Sequence, residues 1–599
     1  MIKRLFLPVL TCFLLTACVA PTIHQDNPDL AALFERYYQE RMQLVPIEST
    51  LNGESLNNDK LYPYFTDSYS RKLTHFFMHY RSAIQQFNPK QLSPTDQLSY
   101  AIFIREMDMS LQGLSVGYFN GYFQDHQYMP FTQNGGVPLL MGQFGSGSGA
   151  QPFKTVKDYE DWQKRATAFS AWADSAIVYF RKGMAAHIVL PAVLVKKMIP
   201  QLDAMLIRDA TKSLFYGPIH QLPINFCETD KKRLTNAYVR LINQQLVPSY
   251  KKLSYFLTTE YLPNARQTTG IEALPHGKKH YSFLVAYHTT TRQTPDEIYQ
   301  IGLSEVKRIQ QAMDSVQQTL GYRGSQQAFF QYMLTDKTFM PFTKPQDVLT
   351  TYRAIQARID PRLKTMFNHV PKASFEVRQT EAFRAASGGP EYVPGTPDGK
   401  RPGIFYVPIL DAKTYNVTIG MEALFLHEAI PGHHYQIGLQ MENEQLPTFR
   451  RFINFSAYGE GWALYAETLG KDLGVYTDPY QYLGALVKEM HRAVRLVVDV
   501  GMHTKGMSRE QAIRYMMAHE PLSEAGATAE IERYMAIPGQ ALSYKIGQLK
   551  IRQLRTAYEQ QLGKHFQLGA FHDELLGGGS IPLEILDKQL ATWAKGQLN

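Results

Sequence analysis

Apolar residues recur at helical spacing along most of the chain. Residues 30–38 and 97–107 repeat them about every 3.6 positions, the period that places side chains on one face of an α-helix. Thr155 is followed three positions later by Asp158, a spacing that is typical of a capped helix start. The helix that it opens would run through Trp162. Together these patterns predict a mainly α-helical body.

Turn-forming residues mark where the helical pattern stops. A helix is predicted from Pro295 to about Leu320, because Thr294 can cap it and proline is favoured at the first helical position. Residues 142–149 are rich in glycine and serine, so a flexible loop is expected there. Residues 387–399 are denser still in glycine and proline, which predicts irregular structure.

The strongest strand candidate is residues 403–410, which read Gly-Ile-Phe-Tyr-Val-Pro-Ile-Leu. Pro408 has no backbone N–H, so the strand is expected at a sheet edge or to end near the proline. An extended peptide can dock by adding to such an edge. The strand precedes the histidine motif described below, and we therefore predict a small β-sheet beside a deep active-site cleft.

The N-terminus has the features of a secretory leader. Lys3 and Arg4 precede an apolar run that is too short to span a bilayer, and the run ends in Leu-Thr-Ala-Cys18. This ending resembles a bacterial lipoprotein signal, although an ordinary signal peptide is the alternative. The resemblance implies a signal peptide over residues 1–17 and a lipidated Cys18 that begins a tether over 18–29. It also implies anchoring in the cell envelope, at the periplasmic face of the outer membrane because Val19 is not aspartate.

Composition narrows the class of protein for the remaining chain. The net charge is +8 over 599 residues, and the leader accounts for two of those charges, so a nucleic-acid partner is not expected. Once Cys12 has left with the leader and Cys18 is lipidated, Cys227 is the remaining cysteine, which excludes an internal disulfide. We expect a single large domain over residues 30–599, with possible lobes at 30–250 and 251–599, and infer no obligate protein partner.

A histidine motif carries the strongest chemical prediction. His427 is followed by Glu428, and His433 and His434 come after a Pro-Gly pair. Two imidazoles and a carboxylate are what a zinc hydrolase uses to hold one metal ion and to activate water. The motif departs from HExxH, since Pro431 stands where the second histidine is expected.

The Pro-Gly pair bears on which of the two histidines, His433 or His434, is the second ligand. Two ligand atoms of one zinc ion lie only about 3–3.5 Å apart, because Zn–N bonds are near 2 Å. An unbroken helix carries a residue seven positions on about 10 Å along its axis. Pro431 can break the helix, and looping out two residues would bring His433 into position. His433 is therefore preferred, and His434, which needs a larger distortion, is the alternate.

A third ligand is expected on a following helix. Glu460 lies between two glycines in Tyr458-Gly-Glu-Gly-Trp, and glycine lets a neighbouring backbone or a substrate come close. Glu467 is seven positions further on and shares the same helix face, so it could orient a ligand or be the ligand itself. A surface position on the helix is the alternative for either carboxylate.

These motifs resemble bacterial domain-of-unknown-function family 885. The resemblance is carried by residues 427–434 (HEAIPGHH) and 458–465 (YGEGWALY), and by 495–503 (RLVVDVGMH) and 533–544 (RYMAIPGQALSY), in this order. It covers nearly the whole mature chain. It implies a mostly helical, gluzincin-like zinc peptidase with a glutamate as third ligand, similar to oligopeptidases and angiotensin-converting enzyme.

Two of these motifs offer groups that could stabilise or bind a substrate. Peptide hydrolysis needs a hydrogen-bond donor for the oxyanion; Tyr544 is our first candidate and His503 the second. Asp499 stands four positions before His503, so the two could pair on one helix face. Arg533 could bind a substrate carboxylate through two parallel hydrogen bonds. A packed core tyrosine and a structural ion pair are the alternatives.

The sequence thus predicts a lipid-anchored zinc metallopeptidase with one Zn²⁺ held by His427, His433 and Glu460. Glu428 would be the general base that takes a proton from the attacking water. Peptides or oligopeptides are the expected substrates. Two alternatives remain: a non-catalytic envelope lipoprotein with a metal- or peptide-binding groove, and a metal-dependent hydrolase of a non-peptide amide or ester.

Overall fold

The computed structural model describes residues 27–118, 126–380, 389–415 and 417–598. The leader, Cys18 and nearly all of the tether lie outside these ranges, so the lipidation prediction is not addressed by them. The described chain is mainly helical with one small sheet, as predicted. No helix within it is both long enough and apolar enough to cross a membrane.

The first part of the chain is helical from its first described residues to the sheet. Its α-helices are α1 (Pro28–Leu44), α2 (Pro46–Leu51), α3 (Asp67–Ile84), α4 (Pro94–Ser115), α5 (Val137–Gly145), α6 (Val156–Ala185), α7 (Ala192–Asp203), α8 (Gly217–His220), α9 (Glu228–Leu241), α10 (Val247–Phe256), α11 (Gly277–Thr289), α12 (Pro295–Thr319), α13 (Gln326–Thr335) and α14 (Pro345–Met366).

The second part contains the sheet and the helices that carry the histidine motif and its partners. The elements are β1 (Phe375–Gln379), β2 (Glu391–Val393), β3 (Gly403–Val407), α15 (Met421–Glu428), α16 (His433–Glu442), α17 (Thr448–Phe452), α18 (Ser456–Thr468), α19 (Pro479–Thr504), α20 (Arg509–His519), α21 (Glu524–Ala536), α22 (Ser543–Leu562), α23 (Leu568–Gly577) and α24 (Leu583–Gly596).

The helix starts that the sequence predicts are confirmed by their caps. The Thr155 side chain accepts from the Asp158 backbone N–H, and the Asp158 carboxylate accepts from the Thr155 N–H, which closes a capping box at the start of α6. Thr294 and Glu297 form the same arrangement ahead of Pro295 in α12. Each box satisfies backbone donors that a helix otherwise leaves free.

The prediction of a flexible loop is wrong for residues 142–145. They form the last part of α5, which Pro138 helps to start and which is largely buried. Gly145 is needed there for packing, because a Cβ at this position would lie 2.5 Å from both Phe215 and Trp162 side chains. Glycine content predicted flexibility, whereas the close approach of two aromatic rings accounts for this glycine.

The sheet has the strand order β1-β3-β2, with β1 parallel and β2 antiparallel to β3. The predicted strand is confirmed and ends at Val407, one residue before Pro408. It is the central strand, so the proline marks a strand end and not a sheet edge. The neighbouring strand β2 lies inside residues 387–399, and the prediction of irregular structure is wrong there; residues 387 and 388 lie outside the described ranges.

Tight helix packing positions the candidate site. Helices α18 and α22 cross where Gly461 meets Gly547, and a Cβ on Gly461 would lie 2.6 Å from the Gly547 Cα atom. The larger buried apolar cluster includes residues from Leu30 to Ala594 and therefore draws on both predicted lobes. Division into lobes stays a prediction.

Candidate metal centre

The helix that carries His427 breaks where the Pro-Gly pair predicts. Helix α15 ends at Glu428, and α16 begins at His433. The Ile430–Pro431 peptide bond is cis, and the His434 N–H bonds to the Ala429 carbonyl across the break at 3.1 Å. The interruption removes the separation along the axis that an unbroken helix would impose.

The break is held from two sides. Gly432 packs directly on the last turn of α15, and a Cβ at this position would overlap the carbonyl oxygens of Leu426 and His427. The indole N–H of buried Trp462 donates to the carbonyls of Pro431 and Gly432 at 2.9 and 3.1 Å. Trp462 belongs to the same motif as Glu460, so one helix both fixes the break and supplies a carboxylate.

Three ligand atoms converge at the break. Within the described residues, His427, His433 and Glu460 form a group whose ligand atoms all lie within 4.8 Å of one another. The Glu460 Oε2 atom is 3.5 Å from His427 Nε2 and 3.6 Å from His433 Nε2. The two imidazole rings are nearly perpendicular, with centroids 5.0 Å apart. Two histidines and one glutamate match a donor set that zinc accepts in catalytic sites.

The residues present fit a metal ion. Glu460 Oε2 is buried and has no hydrogen-bond partner in the described chain, although it faces both imidazoles. An unpaired buried carboxylate oxygen is costly unless another group compensates for it. Glu467 bonds His427 Nδ1 at 2.8 Å, which leaves Nε2 facing Glu460. A carboxylate behind a metal-binding histidine fixes its ring orientation. Glu467 is therefore placed to orient the candidate ligand His427, and Glu460 is the third candidate ligand.

His434 is not part of this group. Its Nδ1 atom is 2.8 Å from the Tyr392 hydroxyl, and its ring packs against Phe375 with centroids 5.4 Å apart. Burial lowers the pKa of His434 to about 4. The structure therefore brings His433 and not His434 to Glu460, and His434 joins the helix to the sheet.

The two glutamates of the site have opposite pKa shifts. Burial raises the pKa of Glu460, but the neighbouring His427 and His433 outweigh burial and hold it at about 2. Burial raises the pKa of Glu428 to about 7, because nearby His427 only partly offsets it. Neighbouring carboxyl groups with separated pKa values can take different roles. Glu460 suits an anionic ligand, and Glu428 suits a base.

A cleft of about 400 Å³ opens onto these residues. Its lining residues come from β2, α15, α16, α18, α19 and α22, and include His427, Glu428, His433, Glu460 and Tyr544. Burial raises the pKa of Tyr544, with a further contribution from Glu460, so this phenol stays protonated and can donate a hydrogen bond. Tyr544 is thus brought to the site as predicted.

Two predicted site residues lie elsewhere. His503 does not line the cleft: the Ile271 N–H donates to its Nδ1, and its Nε2 bonds the Tyr534 carbonyl. Asp499 does not pair with it and instead accepts from Tyr281 and the Gly539 N–H. His503 is therefore not an oxyanion donor, because both of its ring nitrogens are hydrogen-bonded within the chain.

Two other arginines line the cleft in place of the predicted Arg533. Arg533 bonds Gln540 and Glu530 and is not part of the cleft wall. Arg492 and Arg495 line the cleft instead. Two features of the sequence could have indicated them. Residues three apart share a helix face, and Arg495 begins one of the motifs that carry the family resemblance.

We expect Gly432→Ala to destabilise the protein and to disrupt the metal centre. The added methyl group would overlap backbone carbonyls of Leu426 and His427, which cannot rotate away as a flexible side chain can. Overpacking commonly costs about 1–3 kcal/mol, and backbone overlap places this variant at about 3 kcal/mol. Urea unfolding of the variant and the parent protein measures this difference.

Gly577→Ala is the matched control for this variant. Gly577 ends α23, and nothing lies within 4 Å of a Cβ built there. The control is expected to unfold within about 0.5 kcal/mol of the parent, as surface substitutions usually do. Equal stability of the two variants would contradict the assigned role of Gly432.

Similar proteins support the fold. A family profile described as a bacterial protein of unknown function (DUF885) matches residues 46–590. No curated protein matches the chain. A solved structure described as "putative lipoprotein", from Colwellia psychrerythraea, is 27% identical with a TM-score of 0.87 and covers 95% of this chain and 99% of that one.

A second solved structure, a lipoprotein of the same description and of unknown function from Shewanella oneidensis, has a TM-score of 0.71. It is 20% identical, and the match covers 94% of this chain and 99% of that one. At this identity the likeness shows the fold alone. Because the family profile matches most of the sequence, the chain belongs to the bacterial family of unknown function DUF885.

Proposed function

We propose that this protein is a zinc-dependent peptidase. The observation that carries the proposal is the convergence of His427, His433 and Glu460 within 4.8 Å, in the wall of a cleft that also contains Glu428. Zinc bound by these three side chains would polarise a substrate carbonyl and lower the pKa of a water molecule. The cleft volume of about 400 Å³ is within the range of sites for small ligands.

The chain's own residues supply the proton transfers. Glu428 takes a proton from the water whose oxygen bonds to the substrate carbonyl carbon. When the C–N bond breaks, Glu428 gives that proton to the leaving amine nitrogen, as a general base that turns into a general acid. Burial raises the pKa of Glu428, which favours its uptake of the proton.

Two further residues act on binding and orientation. Tyr544 lines the cleft and can donate its phenolic hydrogen to the oxygen on which negative charge develops. Glu467 holds His427 through the 2.8 Å contact to Nδ1. These groups are in place before a substrate enters, so little reorganisation is required during the reaction.

Anchoring in the cell envelope is part of the proposal. It rests on the Leu-Thr-Ala-Cys18 ending of the leader and on the 27% identical solved structure from Colwellia psychrerythraea, which is described as "putative lipoprotein". A lipidated Cys18 followed by a polar tether would hold the helical body at a membrane face.

Metal content and peptide cleavage test the function together. Protein purified with zinc present should contain about one zinc per chain by mass spectrometry, and it should cleave members of a peptide library. Absence of zinc under these conditions would favour a non-catalytic binding lipoprotein. One zinc with no peptide cleavage but with turnover of other amides or esters would favour the non-peptide hydrolase.

A further inference from the structure

Arg495 presents an unused hydrogen-bond donor in the wall of the cleft. Its side chain is only 7% exposed. The Nε atom donates to the Tyr534 hydroxyl at 2.8 Å, and Nη2 donates to Glu530 at 3.1 Å. Nη1 is buried and has no partner in the part of the chain that is described. A buried donor of a charged group without a partner costs free energy, so its place at the cleft calls for a ligand.

The neighbourhood holds the guanidinium in a fixed position. Its centre lies 4.6 Å from the centroid of the Tyr544 ring, and Nη2 is also 2.9 Å from His491 Nε2. Stacking on an aromatic face and hydrogen bonds on two nitrogens leave the side chain little freedom. The third nitrogen therefore points to a fixed place and loses little entropy when it binds.

Arg492 adds a second cation to the same wall. It lies one turn before Arg495 on α19 and lines the same cleft. Its Nη1 atom bonds the Lys488 carbonyl, and its Nε atom is buried without a partner within the described ranges. Two donors on two arginines thus remain for an incoming group.

The charges around Arg495 favour an anion as that group. Glu530 is shared by Arg495, Arg533 and His491, so it cannot occupy the free end of the Arg495 guanidinium. Glu520 bonds the far nitrogen of His491 at 2.6 Å. Planar guanidinium groups bind carboxylates through short, charge-assisted hydrogen bonds. A carboxylate therefore fits the two unused donors better than a neutral amide does.

Cleft size favours the carboxylate at a chain end over one inside a long chain. A volume of about 400 Å³ lies near the lower end of the range of small-ligand sites, roughly 300–1,000 Å³, which suits a short peptide. The free C-terminus of a short peptide carries a carboxylate on its last residue. It can reach the arginine wall while a nearby peptide bond lies at the metal centre.

We propose that Arg495, assisted by Arg492, binds the C-terminal carboxylate of the substrate, so that the enzyme acts on the C-terminal ends of short peptides. This inference rests on the proposed peptidase function. It also replaces Arg533, which the sequence favoured, with a residue that lines the cleft. An aspartate or glutamate side chain offers the same carboxylate chemistry and is separated from the chain end by the experiment.

Calorimetric binding of three peptides to the zinc-loaded Glu428→Gln protein tests the proposal without turnover. The peptides are one tripeptide with a free C-terminus, its C-terminal amide, and the amide with an aspartate as last residue. The free acid should bind at least about tenfold more tightly than the amide, as charge-assisted bonds require. Equal binding of acid and amide would overturn the proposal. Equal binding of the aspartyl amide and the free acid would overturn the assignment to the chain end.

Substitutions of the arginines identify the residue responsible. Arg495→Gln should remove the preference for the acid, and Arg495→Lys, which keeps the charge but not the planar group, should reduce it. Arg533→Gln is the matched control: Arg533 bonds the same Glu530 but does not line the cleft, so this variant should keep the preference. An unchanged preference in Arg495→Gln would overturn the proposal. If Arg495→Gln does not fold, Arg492→Gln replaces it and should weaken the preference at least threefold; no change would overturn the paired site.

The outcome is separable from that of the proposed function. Acid preference is a binding ratio and does not require cleavage, whereas the function test measures zinc content and hydrolysis. A protein that binds zinc and cleaves peptides with no preference for a free C-terminus would keep the function and lose this inference. A protein that shows an arginine-dependent preference without cleavage would keep the carboxylate-binding site and lose the peptidase function.

Discussion

Glu428→Gln should retain zinc and lose about 10²- to 10⁴-fold in turnover, the share that a positioned general base commonly contributes. Glutamine has nearly the same size and shape, so packing around the cleft is preserved. It cannot accept a proton from the attacking water or pass one to the leaving amine. Metal content by mass spectrometry and initial rates on the best library peptide measure the two quantities on one preparation.

A matched control separates this effect from a general change of charge in the cleft. Glu391 of β2 lines the same cleft but is exposed and lies on the sheet. Glu391→Gln should keep turnover within a few-fold of the parent, because Glu391 lies on β2 and not on the helices that carry the candidate ligands. Undiminished turnover in Glu428→Gln would contradict the assignment of the base, and loss of zinc in that variant would contradict its separation from the ligands.

The local geometry of the candidate metal centre could be predicted because it follows from short-range chemistry. Pro431 cannot sit inside a regular helix, and one zinc ion requires its ligand atoms to be close together. These two constraints select His433 over His434, and the structure has the break between Glu428 and His433. Glu460 could be predicted for a similar reason. Its flanking glycines indicated that another part of the backbone comes close, and Gly461 does meet Gly547.

Contacts between distant parts of the chain could not be predicted in the same way. Asp499 and His503 share a helix face, yet each bonds groups far away in sequence, Tyr281 and the Ile271 N–H. Nothing in the spacing of α19 indicates those partners. Trp462 was missed for the same reason: its role depends on carbonyls about thirty positions earlier. A helical pattern specifies a face but not what packs against it.

His433→Ala and His434→Ala should separate metal binding from folding, although the two histidines are adjacent. His433→Ala removes an imidazole that lies 3.6 Å from Glu460 Oε2. Zinc affinity should fall by more than the 10–100-fold that loss of an outer-shell partner costs, while the fold is kept. Competition of the protein with a zinc chelator measures the affinity, and urea unfolding of the metal-free protein measures stability.

His434→Ala should give the opposite pattern because this ring serves the packing of α16 on the sheet. The variant loses the 2.8 Å contact with the Tyr392 hydroxyl, which leaves that half-buried phenol without this partner. Stability should fall by about 1–3 kcal/mol. Zinc affinity should change by less than about threefold, because His434 is neither a ligand nor an outer-shell partner, and even loss of an outer-shell partner costs about 10–100-fold. Loss of zinc in His434→Ala with retention in His433→Ala would exchange the two roles. Zinc retained by both variants would contradict a metal centre at this break, because a catalytic zinc site takes three protein ligands.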